Sequence, residues 1–534
     1  MVDPLPTAGS AATLPLWQNA GWRPSHHALL TADGAWTYRE MADAADRWAA
    51  ALAAAGLRRG DVLGSLFENG SEAVLALQSA WRLGAVICPF NTRLSPVELR
   101  QQCRLVNPRM LLTQSQRTAD LDPLSAPVSG LTAPPLTVMA GDRPAADTIA
   151  MCWAPLAPAT TAPLRAEPAG VTADDRAALL FTSGTSGRLK AAILTHGGLQ
   201  SHAAASALRL GCLPDDIWLA PLPLFHVGGL AIIVRSTLAG TTMALSRSGR
   251  APDIAEALEQ WPVTLVSLVP TQLRMLLEIW PGPPPRRLRT VLLGGAAADD
   301  DLLRAARQRG WPVAVTYGLT EAGSQVATTW PDADPDLSEG VGVAAPPLPL
   351  TQIEIRDGQG QCLPAGQIGD IWVRGPGLMV GYLNDPAASA EALGAGWLRT
   401  GDLGRLDLDG RLRVAARRDD LIVSGGENIY PAEVEAVLAS HPDIQEACVV
   451  AAPDPVWGHV VWAAIVPTLL YSDAVTAELP QALPSGLDAW VAERLAAYKR
   501  PRHYLALASL PRTASGKVSR TGVRQALGLD AGDG

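Results

Sequence analysis

At 534 residues the chain is too long to be served by one hydrophobic core, so two or more domains are expected. Apolar residues make up 48% and charged residues 18%, a soluble globular balance, and a formal net charge of −9 without long basic runs argues against nucleic acid as a partner. The N-terminus lacks the basic start and apolar stretch of a signal peptide, the run GGLAIIVRSTLAG is short and interrupted by Arg235, and six scattered cysteines form no C-x-x-C pair. Membrane span, zinc ribbon and disulfide framework are thereby disfavoured, and a reducing cytoplasm is the plain reading.

The first element in chain order is a helix over Tyr38 to Leu57, where apolar residues recur at helical spacing until Gly56. A strand at VLGSLF, a helix from about Glu72 to Leu83 and a strand at AVICPF follow. Ser95, Pro96 and Glu98 then supply an N-cap, a first-turn proline and a capping-box carboxylate for another helix. This alternation predicts a layered α/β core with parallel strands. Residues 115–175, rich in Ala, Pro and Thr, read as a surface excursion with at most a strand or two. Alternation resumes from Ala177 to about Leu303, and short strands joined by Gly and Asp turns occupy Gly366 to Arg413. A small unit closes the chain: helix PAEVEAVLASH, strands at EACVVAA and VVWAAIV, and helix LDAWVAERLAA.

Between the strand-like runs AALLFT and KAAIL lies FTSGTSGRLK, residues 181–190. Its glycines permit close backbone approach, its hydroxyls and amides suit phosphate oxygens, and Lys190 adds charge. It lacks the G-x-x-x-x-G-K-[ST] spacing of the common phosphate loop, and a glycine-rich hairpin tip without a ligand is the competing account. Tyr317-Gly318-Leu319-Thr320-Glu321 follows the strand VAVTY and offers an aromatic face, a hydroxyl and a carboxylate suited to magnesium. Thr400-Gly401-Asp402, Arg417-Arg418-Asp419-Asp420 before LIVSGGENIYP, and Lys517 in PRTASGKVSR complete the set. Other patterns fail on context: Gly340 to Ala345 fits G-x-G-x-x-A but runs into two prolines, no G-x-S-x-G elbow occurs, and no His pair has zinc-binding helical spacing.

In this order and spacing, from TYREMADAADRWAAAL to SGKVSR, the motifs resemble the adenylate-forming acyl-CoA synthetase superfamily, which includes luciferases and peptide-synthetase adenylation domains. The resemblance implies a large N-terminal domain of layered α/β subdomains plus a β-barrel-like part, residues 1–418, and a small mobile α+β C-terminal cap domain, residues 419–534, hinged at Asp419. It implies ATP, Mg2+ and CoA as cofactor and co-substrates, a small-molecule carboxylic acid as partner, and admits a homodimer. Thr182, Ser183, Gly184, Thr185, Ser186, Gly187 and Lys190 match the family's phosphate loop. Gly294, Gly295 and Ala296 match its adenine-lining segment, and Tyr317, Gly318, Thr320 and Glu321 its adenine and magnesium motif. Asp402 and Arg417 match ribose ligands, Lys517 the adenylation lysine, and Ser424, Gly425, Gly426 and Glu427 the loop used in thioester formation. Leu189, Ala298 and Ala416 depart from the family's residues without removing a charge or hydroxyl.

Within the superfamily, NTRLSPVEL, PLFHVGGLAIIVRS, VLLGGAAADDDLL, YGLTEAGSQVAT and SGGENIYPAEVE are similar to the o-succinylbenzoate-CoA ligases of menaquinone biosynthesis. Other aryl- or fatty-acyl-CoA ligases, and a carrier-loading protein without CoA activity, remain alternatives. The acyl pocket is expected at His226, Gly228, Gly229, Ser324 and Gln325, with the two glycines leaving room for a ring. A dicarboxylic substrate also needs a cation or several donors for its second carboxylate. Arg235 lies nine residues beyond His226, nearly opposite on a helix, and is expected to pair elsewhere.

Overall fold

The first long helix, Tyr38–Ala54, shows how local sequence sets an element: Thr37 caps it, accepting from the Glu40 N–H while the Glu40 carboxylate accepts from Thr37. Its apolar positions Met41, Ala45, Trp48 and Leu52 recur every three or four residues and are buried. The computed structural model describes residues 14–94, 96–114, 136–140, 149–151, 154–155, 170–183, 189–296, 298, 300–331, 343–417, 422–424, 427–429, 431–454, 458–468, 483–495, 497–513 and 516–529.

In chain order the strands are β1 (His27–Thr31), β2 (Gly34–Thr37), β3 (Val62–Leu66), β4 (Val86–Pro89), β5 (Met110–Gln114), β6 (Leu136–Ala140), β7 (Ile149–Met151), β8 (Ala154–Pro155), β9 (Arg176–Ser183) and β10 (Leu189–Thr195). There follow β11 (Ile217–Leu219), β12 (Thr242–Ala244), β13 (Leu265–Leu268), β14 (Thr290–Leu293), β15 (Val313–Leu319) and β16 (Ser324–Thr328). Beyond these come β17 (Gln352–Arg356), β18 (Gly369–Arg374), β19 (Leu393–Gly394), β20 (Trp397–Leu406) and β21 (Leu412–Arg417). The last are β22 (Ile422–Ser424), β23 (Glu427–Ile429), β24 (Ile444–Asp454), β25 (Gly458–Pro467) and β26 (His503–Ala506).

Two eight-stranded sheets carry the orders β16-β15-β14-β13-β11-β12-β1-β2 and β10-β9-β4-β3-β5-β6-β7-β8. In the first, β11 to β15 run parallel, and β13 and β14 are buried at every position. Parallel strands connected through helices are covered on both faces, so they read as mainly apolar runs, LVSL and TVLL each carrying a single buried hydroxyl. A third sheet has the order β17-β18-β20-β19 with β21 on β20, and a fourth β23-β22-β25-β24 with β26 on β25.

The chain divides into two compact units: Met1–Asp334, Ala345–Ile353 and Trp372–Thr400 in one, and Pro335–Ala344, Glu354–Ile371 and Gly401–Gly534 in the other. In the second unit, the long β24–β25 pair alternates its side chains between two cores. Val449, Val461, Ala463 and Ile465 pack with Val434, Leu438, Leu487 and Val491, while Cys448, Val450, Ala464 and Val466 pack with Leu510 and Val523. Burial on both faces explains why EACVVAA and VVWAAIV carry so few polar residues.

Two sequence expectations need correction. The excursion at 115–175 holds three described strands, not one or two. LTVMA forms β6, pairs in parallel with β5, and is followed by the antiparallel β7 and β8. Backbone pairing to an existing sheet edge carries these segments despite their weak pattern. A helix at Pro386–Ala392 also interrupts the run of short strands, capped by the Asp385 carboxylate, which accepts from the Ala388 N–H at 2.9 Å. The glycines Gly340 and Gly342, the expected cap Ser95 and the expected hinge residue Asp419 lie outside the described residues.

Candidate active site

Several of the expected residues follow the carboxyl ends of parallel strands, where open α/β sheets leave a crevice. Gly294, Gly295 and Ala296 succeed β14, and Tyr317 to Leu319 end β15 before a single 3-10 turn at Thr320–Ala322. β15 and β16 are antiparallel neighbours, and Gly318 is paired with Gln325. A Cβ on Gly318 would stand 1.7 Å from the Ser324 carbonyl oxygen, so this motif glycine is demanded by the fold itself.

FTSGTSGRLK bridges two antiparallel strands, β9 and β10, with Lys190 paired with Thr182 and Leu189 with Ser183. The hairpin reading of its flanks therefore stands, while Gly184, Thr185, Ser186 and Gly187 lie outside the described residues. Thr182 Oγ1 is buried and has no hydrogen-bond partner among the described residues, a donor left over beside Lys190. A buried hydroxyl without a partner is costly, and a phosphate oxygen there would satisfy it.

Lys190 Nζ lies 5.0 Å from the centroid of the Tyr382 ring, and the Tyr382 hydroxyl donates to Glu321 Oε1 at 3.0 Å. The backbone of Glu321 is pinned as well, its carbonyl accepting from Met379 N–H at 2.8 Å. Burial, followed by the Glu321 charge, raises the Tyr382 phenol above its ordinary range, so it stays protonated and donates. Among the described residues, no group of three His, Cys, Asp or Glu gathers to hold a metal unaided. One carboxylate with a remaining oxygen instead suits magnesium, which keeps waters and shares phosphate oxygens.

Of the acyl-pocket candidates, His226 is the N-cap residue of the helix Val227–Ala239, its ring edge-on to Phe225 at 4.7 Å. The Cβ sides of Gly228 and Gly229 do not open onto space. A Cβ on Gly229 would lie 2.3 Å from the Pro223 carbonyl oxygen, and one on Gly228 3.2 Å from Leu222. Gln325 is a core residue, 2% exposed, whose amide donates to Thr328 Oγ1 at 3.0 Å. Ser324 has a left-handed backbone, φ 129°, and its Oγ accepts from Arg235 Nη2 at 3.2 Å.

Arg235 thus joins a pocket candidate, contrary to the expectation that it pairs elsewhere. His226 is the extended N-cap of the helix and not part of its wheel, so the nine-residue spacing does not fix where Arg235 points; β16, which carries Ser324, packs against this helix. Arg235 is 5% exposed, lies 5.2 Å from the Trp218 ring, and its Nε has no partner among the described residues. Burial lowers its pKa to about 9, so it remains a cation at neutral pH, and no described carboxylate pairs with it. His202 lies nearby, its Nε2 accepting from the Gln325 N–H at 2.8 Å. Burial and the Arg235 charge hold His202 down to about 3, and burial holds His196 down to about 4.

These two histidines give the fold a definite acid sensitivity. Their ordinary value is 6.5, so between that pH and their depressed values the unfolded chain binds more protons. Stability is therefore complete above the unfolded value and declines on acidification, by up to about 1.4 kcal/mol per pH unit for each histidine. Urea unfolding at about pH 7 and about pH 5 should show a lower midpoint in acid. An unchanged midpoint would contradict the assignment.

In the second unit, Asp402 is buried on β20 and paired in register with Arg417 on β21. Ser424 on β22 is paired with Glu427 on β23, while Gly425 and Gly426 lie outside the described residues. Lys517 is exposed at the end of a turn in which Gly516 N–H donates to the Thr513 carbonyl at 2.9 Å and Thr513 N–H to the Lys517 carbonyl at 2.7 Å. Arg512, whose guanidinium reaches both Glu446 carboxylate oxygens at 2.7 Å, anchors that turn to β24.

Residues 16–383 match the family described as AMP-binding enzyme, and residues 433–517 match the AMP-binding enzyme C-terminal domain. The chain belongs to the AMP-binding enzyme family. Among relatives of this AMP-binding enzyme, the 2-succinylbenzoate--CoA ligase of Bacillus subtilis (strain 168) is 37% identical over 522 residues, covering 96% of this chain and 97% of the relative. That of Geobacillus kaustophilus (strain HTA426) is 35% identical, covering 95% and 97%. The solved o-succinylbenzoate CoA synthetase of Bacillus subtilis, in complex with the acyl-adenylate intermediate OSB-AMP, superposes with a TM-score of 0.82 at 34% identity, over 96% of this chain and 98% of that one. The amide bond synthetase McbA from Marinactinospora thermotolerans superposes with a TM-score of 0.83 at 28% identity, over 96% and 99%.

Motif reading did not select Tyr382 or His202, and it turned Arg235 away. Tyr382 stands in the run GLMVGYLN, where the glycine–aromatic pair Gly381–Tyr382 was the available signal. His202 has no local signal, sharing its helix with His196 among mostly small and apolar residues.

Proposed function

We propose that the chain is an ATP-dependent acid–thiol ligase that converts o-succinylbenzoate to its CoA thioester through an acyl-adenylate, releasing pyrophosphate and then AMP. The observation that carries the choice of acid is Arg235: a buried guanidinium that no described carboxylate pairs with, held against Ser324 next to the Glu321 turn. An acid with two carboxylates presents one for activation and one for such a cation. The relatives named as 2-succinylbenzoate--CoA ligases, matched over nearly the whole chain, support the same reading.

A carboxylate is a poor acyl donor because oxide would have to leave. Attack of its oxygen on the α-phosphorus of ATP forms the acyl-adenylate and expels pyrophosphate, after which AMP is a good leaving group for the CoA thiolate. Lys190, Thr182 and the loop between β9 and β10 would bind phosphate oxygens, and Glu321 would hold magnesium, which would supply charge neutralisation. His226 lines the activated carboxylate, Tyr317 and residues 294–296 the adenine, and Asp402 and Arg417 the ribose hydroxyls. Lys517 bridges substrate carboxylate and phosphate in the first step. The small domain, residues 419–534 with its hinge at Asp419, then withdraws Lys517 and brings Ser424 to Glu427 forward for the thiol. The free thiols of Cys88, Cys103, Cys212, Cys362 and Cys448 suit the cytoplasm, where ATP and CoA are abundant and the enzyme works as a monomer or a homodimer.

The test is a thioester assay with ATP, magnesium and CoA across o-succinylbenzoate, benzoates, cinnamates and fatty acids. Turnover of o-succinylbenzoate well above the others is expected. Strong turnover of a fatty acid with none of o-succinylbenzoate would overturn the choice of acid. Substituting amines for CoA in the same assay addresses the second nucleophile class, suggested by the likeness to an amide bond synthetase.

A further inference from the structure

Lys190 and Glu321, opposite charges on different elements, both contact Tyr382, yet no ion pair joins them to each other among the described residues. The ammonium rests on the ring face and the carboxylate takes the hydroxyl proton, so one side chain separates two groups that would otherwise neutralise each other. Glu321 Oε1 is occupied by this bond, and Oε2 has no partner among the described residues.

The tyrosine is itself held firmly. Residues 380–383 run beside β10: Val380 N–H donates to the Ile193 carbonyl at 3.0 Å, Ile193 N–H to Gly381 at 2.9 Å, and Leu383 N–H to Ala191 at 2.8 Å. Tyr382 forms a bridge with Ala192, two residues beyond Lys190, and its own N–H donates to Ser389 Oγ at 2.8 Å. Its backbone is therefore fixed to the strand that carries Lys190, while its hydroxyl reaches the turn that carries Glu321.

We propose that Tyr382 is the positioning residue for the magnesium nucleotide: it aims the free oxygen of Glu321 at the metal and holds Lys190 ready for the β- and γ-phosphates. This rests on the ATP-dependent reading above. Tyr382 touches neither phosphate nor metal; it acts by keeping their two ligands oriented and unpaired.

Two substitutions separate its two contacts. Tyr382→Phe keeps the ring under Lys190 and removes the hydroxyl bond to Glu321; Tyr382→Leu removes both and allows Lys190 to pair with Glu321. The direct readout is ATP affinity by calorimetry, with magnesium and with EDTA, and without acid or CoA. The gain in affinity that magnesium confers should shrink about tenfold in Tyr382→Phe, the effect of losing one hydrogen bond to a charged group. AMP affinity, which needs neither group, should stay unchanged, and so should the melting temperature. Tyr382→Leu should lose ATP affinity further, with and without the metal. In acid-dependent pyrophosphate exchange the magnesium concentration for half-maximal rate should rise in parallel. A magnesium gain in Tyr382→Phe equal to that of the unsubstituted enzyme overturns the proposal, even if Tyr382→Leu misfolds. An unsubstituted enzyme that binds no ATP and supports no exchange with any acid overturns the ligase reading, and this proposal with it.

Discussion

In Lys517→Ala, acid-dependent pyrophosphate exchange is expected to fall about 100-fold or more, the usual cost of deleting a charged group aimed at a phosphoryl transition state. The same variant, supplied with the acyl-adenylate and CoA, should form thioester at close to the unsubstituted rate. The asymmetry follows from the two roles assigned to the small domain: the lysine is needed where carboxylate oxygen and α-phosphate, both negative, must approach, and is dispensable once the adenylate exists. The turn that presents Lys517 is closed by its own backbone bonds and tied to β24 through Arg512, so alanine removes the ammonium without loosening the turn. Equal losses in both half-reactions would count against a domain that changes partners between steps.

Arg235→Met is the second large effect. Its natural test pairs o-succinylbenzoate with an analogue lacking the carboxylate that is not activated. For the dicarboxylic acid, loss of a buried cation from a charge pair should cost about 2–5 kcal/mol, roughly 30-fold or more in kcat/KM. For the analogue, kcat/KM should hold or rise, because the unsubstituted enzyme leaves the guanidinium unpaired against it. Folding stability should not suffer, since methionine fills similar volume and removes a buried charge that no described carboxylate neutralises. Equal losses for both acids would remove Arg235 from substrate recognition and leave it a structural residue.

The contrast between Arg235 and Lys190 shows where sequence reasoning reaches and where it stops. Lys190 belongs to a local hairpin, so its motif, strand and partner Thr182 all lie within a few residues. Arg235 lies 89 residues from Ser324, and a helical wheel does not say which strand packs against its side of the helix. Gly229 makes the same point: its absent side chain suggested room for substrate, whereas the space belongs to Pro223. Residues 136–140 were hidden for a related reason, since their strand character depends on the β5 edge they join more than on their own composition.

By itself, the sequence determined the α/β alternation, the order of the motifs and the kinds of groups at each turn, because periodicity, caps and loop chemistry act over short distances. Only the tertiary structure decided which of those groups meet. It set Tyr382 between Lys190 and Glu321, and gave Arg235 the hydroxyl of Ser324 and no described carboxylate. Such pairings arise when sheets and helices pack segments far apart in the chain, and burial then magnifies the electrostatic consequence of each pairing.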